Sequence, residues 1–134
     1  MLPEFNEDGN LPPGIHRSTL DEVVARFGTG SADRQAGIAE LCEFVPWARE
    51  AGIKRLLVDG SFVTCKESPN DVDVVILASD EQPEEGQAAL DSAVRWPFLH
   101  IQVAADSADF EAWALTDFAK DKQDRPRGVV EIEL

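Results

Sequence analysis

Tyrosine is absent from this 134-residue chain, and cysteine and histidine occur only twice each. Cys42 and Cys65 lack any metal-ligand spacing and read as reduced, unpaired thiols. Cations are scarce as well. Twelve Lys and Arg stand against 26 Asp and Glu, a formal net charge of −14 at pH 7. Free binding to duplex DNA, which depends on Lys and Arg releasing phosphate counterions, is therefore disfavoured. Long apolar runs are missing too. The longest aliphatic stretch, residues 74–78, falls far short of the roughly 20 residues that a membrane helix needs. The opening residues, MLPEFNEDGN, are acidic and prolyl where a leader peptide is basic and then apolar, so a cytoplasmic location is expected. Neither an internal repeat nor a low-complexity tract is found.

What is present suffices for one packed domain. Hydrophobic residues make up 43% and aromatics 7%, which rules out disorder of the whole chain. Pro3, Pro12 and Pro13 withhold backbone donors, so residues 1–17 read as an N-terminal arm ahead of a domain over residues 18–134. Thr19 and Glu22 form a capping-box pattern that opens a short helix carrying Leu20, Val23, Val24 and Phe27, closed by Gly28. Ser31 or Asp33 caps a second helix with Ile38, Leu41, Val45 and Ala48 at three-to-four spacing, ending at Gly52. Pro46 implies either a kink or two shorter helices.

From Lys54 the period changes. Leu56, Leu57 and Val58 make a short buried strand, and residues 71–78 make a second, strongly β-branched one. Residues 84–95 have helical character, and residues 98–104 return to strand. Ser107 caps a last helix with Phe110, Trp113, Ala114 and Phe118. Residues 129–134 alternate apolar and acidic side chains as a half-exposed edge strand does. The fold class is α+β, a mixed sheet with packed helices. The aromatic residues, Trp47, Trp96 and Trp113 among them, are most simply core.

The informative stretch is residues 60–76, GSFVTCKESPNDVDVVI. Side chains alternate across a strand, so Asp71 and Asp73 project from one face about 7 Å apart. Two like charges at the rim of a core repel unless a divalent cation lies between them, and Mg2+, a hard ion, is the economical partner. Gly60 lets the backbone approach a phosphate closely, and Ser61 offers an N–H and a hydroxyl. The Thr64 hydroxyl and the Lys66 ammonium extend such a site toward outer phosphates.

Gly-Ser followed by Asp-x-Asp on the adjacent strand resembles the signature of the polymerase-beta-like nucleotidyltransferase superfamily. A closer resemblance covers nearly the whole chain. It is to a family of small, largely uncharacterised bacterial proteins assigned to that fold, and it rests on LPPGIH at residues 11–16, the block from Gly60 to Asp73, and PRGVV at residues 126–130. The resemblance implies a minimal nucleotidyltransferase fold. It implies nucleotide phosphates held by Gly60 and Ser61, and Mg2+ bound by Asp71 and Asp73. A nucleoside monophosphate would pass from a nucleoside triphosphate (NTP) to a hydroxyl on RNA or protein. Were that hydroxyl a tyrosine's, it would lie on a partner. By analogy with small nucleotidyltransferases, a toxin–antitoxin or phage-defence setting, with a protein partner encoded nearby, is expected.

The superfamily places a third carboxylate on a neighbouring strand, and here the match departs. That strand reads FLHIQV over residues 98–103, so His100 and Gln102 share the relevant face. His100 can serve as base or as ligand through a neutral nitrogen, Gln102 only as a weak ligand, and Asp106 would have to fold back. A catalytically degenerate binding or regulatory module, antitoxin-like, is therefore the second expectation. Ordinary readings stand beside these. Ser61 can simply cap a helix, Cys65 can be a bystander, and His16 can pack or face solvent. Arg125 and Arg127 can hold a triphosphate or an RNA backbone, or can balance Glu131 and Glu133. The acidic run Asp80, Glu81, Glu84 and Glu85 reads as a solvated loop and helix start.

Overall fold

A computed structural model describes residues 2–78, 96–117, 120 and 123–134. The helix expected over residues 84–95, the acidic run beginning at Asp80, and Phe118 lie outside the described residues. Among those described, five strands form one mixed sheet in the order β1-β5-β2-β3-β4. The strands are β1 (Ile15–Ser18), β2 (Arg55–Asp59), β3 (Val72–Leu77), β4 (Leu99–Ala104) and β5 (Val129–Ile132). β1 is parallel to β5 and β3 to β4, whereas β2 is antiparallel to both of its neighbours.

The helical signals act where the sequence puts them. α1 (Leu20–Phe27) starts at Thr19, whose hydroxyl accepts the Glu22 N–H, and ends at Gly28. α2 (Ala32–Glu50) starts at Ser31, which accepts the Arg34 N–H. Of the alternatives at Pro46, two shorter helices are not found: α2 runs through it as one 19-residue helix. Both helices cover one sheet face. There Val23, Phe27, Leu41, Phe44 and Val45 bury themselves against Leu56, Val58, Val72, Val74, Ile76 and Val130. Trp96 is fully buried in this cluster, edge-on to Phe44 with ring centroids 5.0 Å apart. Gly37 brings α2 close to the start of β3, where an added Cβ would stand 2.8 Å from Val72 Cγ2.

α3 (Ser107–Ala112) passes into a π turn at Trp113–Asp117 and covers the other face. There Phe110 and Ala114 pack on Leu57, Val75, Leu77 and Val129. The cap of α3 is Asp106, which accepts the Asp109 N–H, and not Ser107. An aspartate so employed does not fold back toward Asp71.

Two expectations about the sheet edge are corrected. β5, read as a half-exposed edge strand, is interior and buried at all four positions. Its alternating Glu131 misled, because Arg55 on β2 reaches across with a two-pronged contact of 2.9 and 2.7 Å to that carboxylate. Glu131 is thus balanced by Arg55. The edge on that side is β1, three of whose four residues come from the segment read as an arm. Its prolines lie ahead of Ile15 and leave the strand's own donors intact. Leu11, from the same segment, is fully buried, and His16 packs, its Nε2 2.6 Å from the Pro12 carbonyl.

Candidate functional site

The antiparallel register of β2 and β3 sets Asp59 opposite Asp73, and the parallel register of β3 and β4 sets Asp73 opposite His100. Alternation places all three at the end of the face whose interior is Leu57 and Val75. Asp71 stands one residue ahead of β3, exposed, two residues from Asp73 and on the same side. One ligand atom each from Asp71, Asp73 and His100 lie within 4.8 Å of one another. His100 Nδ1 is 3.3 Å from Asp73 Oδ1, with the imidazole side chain 62% exposed.

β2 delivers its chain into a short 3-10 turn, Gly60–Val63. Gly60 has φ +75°, and a Cβ there would collide with Asp73 Oδ2. The glycine is required twice, by its left-handed backbone and by the carboxylate lying over it. Beyond the turn the loop is tied down from behind. Arg34, buried on α2, donates from Nε, Nη1 and Nη2 to the carbonyls of Phe27, Phe62, Thr64 and Lys66 at 2.6 to 3.2 Å. Burial holds its pKa below the usual arginine value, with the nearby Cys65 thiol acting the other way. The Thr64 hydroxyl donates to the Ser61 carbonyl at 2.6 Å and accepts the Lys66 N–H at 3.2 Å. Its first task is therefore to shape the loop that carries Ser61 and Lys66.

A groove of about 700 Å³ opens over this corner. Gly60, Ser61, Thr64, Lys66, Asp71 and Asp73 line it together, as do Lys120, Arg125 and Arg127 and the turn at residues 8–10. Carboxylates thus stand in the same groove as a group of cations, in a chain with few cations to spend. Burial, and then the Asp71 carboxylate, push the Asp73 pKa up, while His100 and Arg127 pull it back. Asp59 is more extreme. It is 0% exposed, and neither carboxylate oxygen has a hydrogen-bond partner among the described residues. Burial first, then Asp73, raise its pKa to about 9 against a weaker opposing pull from Arg127. At neutral pH Asp59 holds a proton.

Every site residue named from the sequence falls at this corner. His100 joins through Asp73, and Gln102 Nε2 lies 3.2 Å from His100 Nε2. Two residues were missed. Asp59 is one: it shares a face with Leu57 and stands next to Gly60 at the end of a paired strand. Arg34 is the other, and no local pattern marks an arginine whose partners are carbonyls from other segments. Cys42 and Cys65 are both thiols, exposed and unpaired.

The fold and site define a small α+β protein with a carboxylate–histidine group at a groove that also carries cations. Residues 3–133 match the model of DUF6932, a family of unknown function, and the chain belongs to that family. Neither the curated proteins nor the solved structures include a match to it. Among the described residues no helix is long and apolar enough to cross a membrane.

Proposed function

We propose that this protein is a metal-dependent nucleotidyltransferase, moving a nucleoside monophosphate from an NTP to a hydroxyl on RNA or protein. One observation carries the reading. Asp71 and Asp73 share a nucleotide-sized groove with Gly60, Ser61, Lys66, Lys120, Arg125 and Arg127. A polyphosphate with its cation is the ligand chemistry that needs both signs of charge in one cleft. The donor set fits a dication, since the ligand atoms of Asp71, Asp73 and His100 are close enough to share one.

A bound dication would supply charge neutralisation at the phosphates. The remaining work falls to the chain itself. Ser61 and Lys66 orient the phosphates, and Asp71 and Asp73 fix where the α-phosphate stands relative to the sheet. The acceptor hydroxyl's oxygen forms the new bond to the α-phosphorus. The bond from that phosphorus to the bridging oxygen breaks, pyrophosphate leaves, and the hydroxyl's proton passes to solvent. Positioning supplies most of the rate.

A second reading is a nucleotide-binding module without transfer activity, and it is favoured by His100 and Gln102 standing on β4 where the superfamily has an acid. Incubation of the purified protein with each of four α-labelled nucleoside triphosphates and cell lysate separates the two. Cation-dependent label on RNA or protein, abolished by Asp73→Asn, is the expected result. Nucleotide binding with no transfer from any of the four favours the module, and no binding at all ends both readings.

A further inference from the structure

We infer that His100 is the third ligand of the cation site, through Nδ1, and that the site takes a divalent transition ion such as Mn2+ in preference to Mg2+. The inference rests on the proposed cation site and specifies its metal. The geometry comes first. Two neighbouring ligand atoms on one octahedral ion with bonds of about 2.1 Å stand about 3 Å apart. His100 Nδ1 and Asp73 Oδ1 stand 3.3 Å apart, and the Asp71 carboxylate completes a group spanning no more than 4.8 Å.

The register keeps this spacing in place, because Asp73 and His100 are direct partners on paired parallel strands. When Nδ1 carries the imidazole's proton, that proton faces Asp73 across the gap. Gln102 Nε2, 3.2 Å from His100 Nε2, is the device that lets the proton move. Turning that amide offers its oxygen to an Nε2–H and leaves the Nδ1 lone pair for a metal.

A second observation points to a cation independently of the three ligands. Asp59, wholly buried and directly opposite Asp73, has neither oxygen hydrogen-bonded among the described residues. A buried carboxyl without a partner is costly to retain, and a cation held at the neighbouring ligands would offset that cost. The ligand set then decides the ion. Two carboxylates alone suit Mg2+, whereas an imidazole nitrogen adds little for that hard ion, more for Mn2+ and most for the ions beyond it in the affinity series.

The test loads the full chain with Mn2+ and measures electron spin echo modulation, which reports nitrogen bound to the metal. Calorimetric titration with Mn2+ and Mg2+ accompanies it, on wild type, His100→Ala and Asp73→Asn. The expected result is a 14N coupling in wild type that disappears in His100→Ala. Wild type should bind Mn2+ more tightly than Mg2+, and His100→Ala should lower Mn2+ affinity about tenfold or more with little change for Mg2+. Because the side chain is 62% exposed, its truncation leaves the core intact, and a circular dichroism spectrum matching wild type checks this. Mn2+ bound by wild type without 14N coupling, or a coupling that survives in His100→Ala, overturns the inference while the cation site stands. Wild type that binds neither ion overturns both.

Discussion

Asp59→Asn should stabilise the protein at neutral pH, and the gain should grow with pH in a way that identifies its cause. In the unfolded chain this carboxyl has a pKa near 3.8, and in the fold it is pushed to about 9. Between those values the folded state holds a proton that the unfolded state has released. Stability therefore falls by about 1.4 kcal/mol for each pH unit. The contribution is intact below pH 3.8 and is lost progressively up to about pH 9. At pH 7 the loss amounts to about 4 kcal/mol, a large share of the 5–15 kcal/mol that holds a typical domain together. Asparagine has nearly the shape of the protonated acid and never ionises, so it escapes the loss. Urea unfolding of both proteins with a chelator present, at pH 4.5, 6.0 and 7.5, reads the difference directly. The variant's advantage should be small at pH 4.5 and should rise by about 1.4 kcal/mol per unit thereafter. A difference that is flat with pH, or a variant less stable than wild type at pH 7.5, would refute the claim that Asp59 is buried and protonated.

Arg34→Met should lower stability by about 3 kcal/mol or more in urea unfolding, since it strands the carbonyls of Phe27, Phe62, Thr64 and Lys66. Arg34→Lys should recover only part of this, because one ammonium cannot reach four carbonyls. Gly60→Ala should leave the circular dichroism spectrum nearly unchanged yet abolish cation binding by calorimetry, as its Cβ displaces the Asp73 carboxylate. Ser61→Ala should weaken NTP binding by only about 1 kcal/mol, the scale of one hydroxyl hydrogen bond. A thousandfold loss there would mean that the hydroxyl has another role.

The parts of the fold that depend on local chemistry are readable from the residues alone. Thr19 and Ser31 cap α1 and α2 as their side-chain chemistry requires, and the β-branched run of β3 forms a buried strand. What escaped reading depends on pairing across the sheet. Glu131 alternates with apolar neighbours as an exposed residue would, and only the arrival of Arg55 from β2 makes it an interior one. Residues 15–18 carry no strong strand signal, and they join the sheet because β5 offers an edge. At the site, Gly60, Ser61, Asp71 and Asp73 were legible because their spacing bears on one chemistry. His100 was legible as a residue facing Asp73, with its role as base or ligand left open. Asp59 was hidden because its meaning comes from Asp73, 14 residues on, through the register of β2 and β3.

The most direct test of a cation-dependent nucleotide site is calorimetric titration with a non-hydrolysable nucleoside triphosphate. Wild type, Asp71→Asn and Asp73→Asn are each titrated with and without divalent cation. Binding to wild type that requires the cation and is lost in both variants, with their folds retained, is the expected result. Binding of equal strength in all three proteins, or none to wild type with cation present, contradicts the assignment.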